Sequence, residues 1–281
     1  MNAAPAMTAF ASSAAGPRRV PEILLEGIRV AVIDERATVR AVIDALEEGR
    51  GGRLVTCNLD ILRQARKDRS IRDLIESADL RVADGMPLLW AARVQGTPLP
   101  ERVCGSNLIH SLPAAAAAAG RSIYLLGGDP GTADSAAAAL VKASPALRIV
   151  GTHCPPFGFE SNAEEMRRIE SRIESCGADI VLVALGFPKQ ERLIERLRPR
   201  RPDAWWIGVG ISFSFAAGAV RRAPRWMQAL GLEWVHRTLQ EPRRLFKRYV
   251  VHDIPYGLAL LWRSWRRRGR AEATRYTPPH A

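Results

Sequence analysis

Short apolar runs alternate along the chain with longer stretches whose apolar side chains return every three or four positions, and these two periods separate strands from helices. Strands are predicted at 28–33, 53–57 and 80–83, then in SIYLLGG from Ser122, RIVGTH from Arg148, DIVLVALG from Asp179 and AWWIGVG from Ala204. Helices are predicted at 37–48, with Gly49, Gly51 and Gly52 as the stop, after Gly85, in the alanine-rich stretches 108–119 and 133–142, and in GFPKQERLIERLR from Gly186. Alternation at this spacing makes βαβ units. The expected fold class is therefore α/β, a Rossmann-like, mostly parallel sheet with helices on both faces. DIVLVALG is apolar almost throughout, as a central strand covered on both faces requires.

Around Pro199 the pattern changes. RRAPRWMQALGLEWVHRTLQEPRRLFKR, residues 221–248, is strongly basic, with Glu233 and Glu241 its only acids, and IPYGLALLWRSWRRRGR follows. That apolar run falls short of the roughly 18 to 20 residues of a spanning helix. Its flanking Trp262, Trp265 and arginines suit a helix lying in a membrane interface. The division is then a disordered leader over 1–20, an α/β core over 21–210, a basic, aromatic, membrane-associating helical appendage over 211–270, and a disordered tail over 271–281. Cutting after about Pro199 is expected to leave a soluble domain that no longer binds anionic vesicles. In the leader the basic residues follow the apolar part, the reverse of a secretion signal.

Composition changes this picture at one point, the charge. Lys+Arg 41 against Asp+Glu 29 gives +12, which calls for an anionic partner such as nucleic acid, an anionic lipid surface or a phosphorylated substrate. The hydrophobic 47% and charged 25% are otherwise those of a globular protein. Cys57, Cys104, Cys154 and Cys176 stand apart from one another, which suits a reducing cytoplasm. The histidines show no ligand spacing and there is no D-x-D motif, so neither a metal nor a cofactor is predicted.

The polar chemistry concentrates between Arg53 and Leu108. In an open parallel sheet ligands sit at the carboxyl ends of strands, where Thr56 and Asn58 follow one predicted strand and Asp84 another, and Arg102 in PERVCGSN can join them. Asp84 reads equally as a helix cap before Gly85 and Pro87 or as a catalytic base; a helix N-terminus and Arg102 would both lower its pKa. LLGGDPGTADSA carries Gly127 and Gly128 in a strand-to-helix turn that could cradle phosphate, though it lacks the full dinucleotide fingerprint and reads first as a tight turn. Lys189 and Gln190 would project at the end of DIVLVALG, where Gln190 suits sugar hydroxyls or a phosphate; pattern alone favours a solvated helical turn. Trp226, Trp234, Tyr249, Trp262 and Trp265 interleaved with arginines suit headgroups, or equally stacking on nucleic-acid bases.

Taken together, TCNLD, RVADGMPLLWAARVQG, ERVCGSNLI, YLLGGDPG, GFPKQE, GVGISFSFAAG and RRAPRWMQALGLEWVHRTLQEPRRLFKRY resemble the WecG/TagA/CpsF family, glycosyltransferase family 26, over roughly 27–249. The resemblance implies an inverting transferase that passes a sugar from a UDP donor to a polyprenyl-diphosphate-linked acceptor at the inner face of the bacterial membrane. It implies Thr56 and Asn58 as substrate contacts, Asp84 as the base, Arg102 facing a diphosphate and Gln190 as a further site residue. The family's tail arginines fall among Arg221, Arg222, Arg237, Arg243 and Arg244 without an order of rank. Two positions depart: Ser214 follows Phe213 where the family commonly has F-D, and Asn107 stands where it commonly has Asp.

The expected mechanism is one in-line displacement, with Asp84 taking the acceptor's proton, and Arg102, tail arginines and the Gly127–Gly131 turn stabilising the departing diphosphate without metal. The donor, a hexose or N-acetylhexosamine, and the oligomeric state are left open. The alternative is a non-catalytic nucleic-acid- or phosphate-binding module. Against it stands Asp84, since a polyanion groove has little use for a central carboxylate, so nucleic acid is not an expected partner. An oxidoreductase fits worse, because the glycine turn comes late in the chain.

Overall fold

The computed structural model describes residues 20–268, the side chains of Arg225, Ala229 and Arg244 apart. The predicted leader, Val20 excepted, and the predicted tail lie outside the described residues. The chain opens on an antiparallel hairpin of β1 (Glu22–Leu25) and β2 (Ile28–Ala31). Its turn residues Glu26 and Gly27 both take positive φ, 54° and 85°, the backbone that matches the twist of a two-residue hairpin.

β3 (Gly52–Cys57), β4 (Leu80–Ala83), β5 (Ser122–Gly127), β6 (Arg148–His153), β7 (Ile180–Ala184) and β8 (Trp205–Gly208) make one six-stranded parallel sheet in the order β4-β3-β8-β7-β5-β6. The helices between and after them are α1 (Glu35–Glu47), α2 (Leu59–Lys67), α3 (Arg69–Glu76), α4 (Met86–Gln95), α5 (Gly105–Ala118), α6 (Thr132–Ala143), α7 (Ala163–Ser175), α8 (Lys189–Leu197) and α9 (Ser212–Ala216). Alternate strand residues bury on opposite faces. Leu54, Val82, Leu125, Leu182 and Ile207 meet α1, α5, α6 and α9, with Phe213 of α9 wholly buried among them. Val55 and Cys57 meet the hairpin, α2, α3 and α4, and Leu126, Val181 and Trp206 meet α7 and α8. The predicted α/β, Rossmann-like architecture is the one observed.

Pro199 lies in a short turn, Arg198–Arg200, ahead of β8. Because β8 pairs with both β3 and β7, a cut after Pro199 removes a central strand, and the expectation that it leaves a soluble domain is corrected here. The segment that follows α9 forms α10 (Arg225–Ala229), α11 (Glu233–Gln240), α12 (Pro242–Phe246) and α13 (Ile254–Arg266), with a π-helical stretch, Lys247–Asp253, joining the last two. It docks on the α/β body. Leu260 of α13 is fully buried with residues of α2 and α4, a contribution of about 2 kcal/mol for one leucine. Arg263 Nε donates to Glu26 at the hairpin tip at 2.9 Å, and the Tyr256 hydroxyl donates to the same carboxylate at 3.4 Å. The other face of α13 is open: Leu258, Trp262 and Trp265 are 65%, 55% and 60% exposed.

Candidate functional site

β3 and β4 run in parallel register, Cys57 opposite Ala83, and both strands stop there. Asn58 and Asp84 therefore leave the sheet side by side at its carboxyl edge, and the Asp84 N–H donates to the Cys57 carbonyl at 2.7 Å. Asn58 caps α2 by accepting from the Ile61 N–H at 3.0 Å, which commits its oxygen and leaves its NH2 group for other work. Thr56 is half-buried on β3, in register with Val82. Asp84 is not a cap. That place belongs to Gly85, whose φ of 108° opens α4 without any side-chain hydrogen bond.

The loop after α4 returns along β4, with the Val103 N–H donating to the Ala83 carbonyl at 2.8 Å, and this sets Arg102 beside Asp84. Arg102 Nη1 donates to Glu233 of α11 at 2.8 Å and Nη2 to Gln228 at 3.3 Å. Glu233 accepts from a second arginine, Arg222 Nε, at 3.0 Å. Arg222 is held from behind by the Ser106 carbonyl at 3.2 Å and Asn107 Oδ1 at 2.6 Å. Asn107 also donates through Nδ2 to Glu35 at 2.8 Å. An aspartate could not donate to Glu35 there, so the bridge from Arg222 to Glu35 through this side chain depends on the amide.

Burial pushes the Asp84 carboxyl up to about 7. Arg102, Arg222 and Arg237 pull it down and Glu233 pushes it further up. The sequence-based expectation of a lowered value is thus reversed, because burial outweighs the arginines. Among the described residues no helix N–H reaches the carboxylate, and Arg102 shares its charge with Glu233. Glu233 goes the other way: burial raises it, but hydrogen bonds from Arg102 and Arg222 outweigh that and hold it below the usual carboxylate range. Among the described residues nothing donates a hydrogen bond to Asp84, so its side chain remains free to accept a proton from a ligand.

The structure thus brings Thr56, Asn58, Asp84, Arg102, Arg222 and Arg237 to one end of β3 and β4. Arg221 and Arg243 are exposed, and the Arg244 side chain lies outside the described residues. Gln190 is buried, and its amide oxygen is fully committed. Its Oε1 accepts from the Gly186 and Gly210 N–H groups at 3.2 and 3.1 Å, and its Nε2 donates to Glu191 at 3.2 Å. It ties the loop after β7 to the loop after β8.

The glycine turn is also built for packing. A Cβ on Gly127 would stand 2.6 Å from the Ala184 carbonyl oxygen, and one on Gly128 would stand 3.2 Å from the Phe213 ring. Asp129 and Asp134 lie at the start of α6 and oppose an anion there. The turn sits four strand positions from β4, about 19 Å at ~4.8 Å per strand. It does lie where the chain leaves β5 outward to β6 and β7 inward to β8, a place where α/β crevices open.

Sequence reasoning passed over Glu233 and Gln228 as parts of the site, and read Asn107 only as a lost charge. A usable trace existed in Glu233, an isolated acid inside an arginine-rich run, since an unpaired acid there invites a local counter-ion role.

The sequence profile of the glycosyl transferase WecG/TagA/CpsF family matches residues 23–270, from the first hairpin through the whole of α13. The docked C-terminal segment that supplies Arg222, Glu233 and Arg237 is therefore inside the family pattern. A chain matched over this span, with an unbonded carboxylate among arginines at the carboxyl edge of its sheet, belongs to the WecG/TagA/CpsF family of glycosyltransferases.

Proposed function

We propose that this glycosyltransferase of cell-surface polysaccharide synthesis is a hexosyltransferase of inverting stereochemistry. It moves a hexose or N-acetylhexosamine from a UDP-sugar to a saccharide carried on a polyprenyl diphosphate, at the inner face of the bacterial cytoplasmic membrane. The observation that carries the reading is Asp84, a free carboxylate titrating near neutrality beside three arginines. A general base works best with a pKa near the ambient pH, and a leaving diphosphate needs fixed positive charge.

In the reaction an acceptor hydroxyl attacks the anomeric carbon as its proton passes to Asp84. The bond from that carbon to the UDP oxygen breaks on the opposite face, and UDP departs with the bonding pair. Arg102, Arg222 and Arg237 stabilise the growing diphosphate charge, the part a divalent metal plays in other sugar transferases. Thr56 and the Asn58 amide orient the sugar. Gln190 acts one step back, by holding the two loops between β3 and the glycine turn. The uridine end of the donor lies toward Gly127 and Gly128, where the loops after β5 and β7 part.

The exposed face of α13 supports attachment to the membrane surface. Ile254, Leu258, Trp262 and Trp265 recur at helical spacing on one side, opposite buried Leu260 and Ser264, and arginines follow. No described helix is long and apolar enough to cross a membrane. A polyanion-binding module would use the same arginines, but Asp84 and Glu233 at their centre repel a phosphate backbone.

The test is UDP release by the purified full chain over a panel of UDP-sugars, with a short-chain prenyl-diphosphate-linked sugar and no added metal. Release with one donor, and only when acceptor is present, is the expected result; release that ignores the acceptor or needs added metal contradicts it.

A further inference from the structure

Glu233 stands in the middle of the arginine cluster, and neither the proton transfer nor the charge stabilisation above uses it. Its two oxygens are divided between two guanidiniums, Oε2 to Arg102 Nη1 at 2.8 Å and Oε1 to Arg222 Nε at 3.0 Å. Arg222 is fixed from behind by Ser106 and Asn107 and so cannot follow Glu233 if the acid moves away. The acid's own element is held less deeply: α11, which carries it, is half-buried and has no fully buried side chain. A carboxylate bridging two guanidiniums also matches the charge sign and donor geometry that a phosphate would demand of the same two side chains.

We infer, resting on the transferase reading above, that Glu233 is a positioning residue. It holds Arg102 and Arg222 beside Asp84 as an internal anion, and it yields them to the diphosphate of a bound substrate. Glu233 thereby keeps two arginines aligned that would otherwise repel each other. Among the described residues the groups facing Asp84 include Arg102, Arg222, Arg237, Glu233 and the Cys57 and Cys104 thiols, and of these charged side chains Glu233 is the one that opposes its ionisation. Removing that charge leaves the arginines a larger net field on Asp84.

The experiment is calorimetric titration of the full chain with UDP and, separately, with inorganic pyrophosphate at low ionic strength, in wild type, Glu233→Gln, Glu233→Asp and Arg102→Ala. With its competitor neutralised, Glu233→Gln is expected to bind both probes about three- to tenfold tighter. Glu233→Asp keeps the charge but reaches only one arginine, and is expected to fall between Glu233→Gln and wild type. The inflection in the pH profile of UDP release should move toward acid in Glu233→Gln and return in Glu233→Asp. A part in folding alone would lower the melting temperature and leave that inflection in place. Unchanged or weaker binding in both Glu233 variants, with binding still dependent on Arg102, overturns the inference and spares the transferase reading. Binding of neither probe by wild type, or binding indifferent to Arg102→Ala, overturns both.

Discussion

Asp84 shows how far a side chain's chemistry depends on neighbours that its local sequence does not contain. DGMP reads as a helix start that ionises an acid, yet Gly85 takes the cap position, and the counter-charge on Arg102 is answered by Glu233 from far along the chain. With a pKa raised from 3.8 to about 7, the folded chain holds this proton more tightly than the unfolded one. The resulting stabilisation is complete below about pH 4 and is lost as pH rises through 7; three units correspond to at most about 4 kcal/mol. Asp84→Asn is therefore expected to melt above wild type at pH 8, by a margin that shrinks toward pH 4, in scanning calorimetry. Equal melting temperatures at both pH values would show that the group is not perturbed. Transfer by wild type should climb with pH to an inflection near 7, as the base ionises.

At the scale of elements, the strands and most helices were legible because their periods are clean. β4 falls on 80–83 as the pattern predicts, and α5 and α6 follow the alanine-rich stretches within a few residues. β1 was not legible, because its apolar run is only three residues long and Glu22 and Glu26 bound it. Both are buried, and their partners Arg81, Arg66 and Arg263 lie far away in sequence. The candidate site was legible as a set of strand ends, since Thr56, Asn58 and Asp84 each follow an apolar run. Which polar groups are already committed inside the fold was not. Gln190 carries this distinction into an experiment: Gln190→Ala removes the acceptor of two part-buried backbone N–H groups and is expected to lose about 1 kcal/mol in chemical unfolding. Stability unchanged by that substitution would mean the amide serves the ligand and not the loops.

For the whole molecule, the charge of +12 includes two concentrations that bear on function, arginines gathered around Asp84 and a basic, tryptophan-bearing helix on the outside of the docked C-terminal segment. That segment buries Ala223, Leu245, Asp253 and Leu260, so truncation would expose core and test folding more than membrane attachment. Substitution on the open face is the cleaner probe. Trp262→Glu with Trp265→Glu should abolish sedimentation with anionic vesicles while the melting temperature stays at the wild-type value; vesicle binding that persists would place the anchor elsewhere. The central claim remains the base, and sugar transfer by Asp84→Asn beside wild type tests it most directly. The account predicts loss of at least about a hundredfold in turnover from a fully folded variant. Turnover within a few-fold of wild type, with the fold intact, would contradict it.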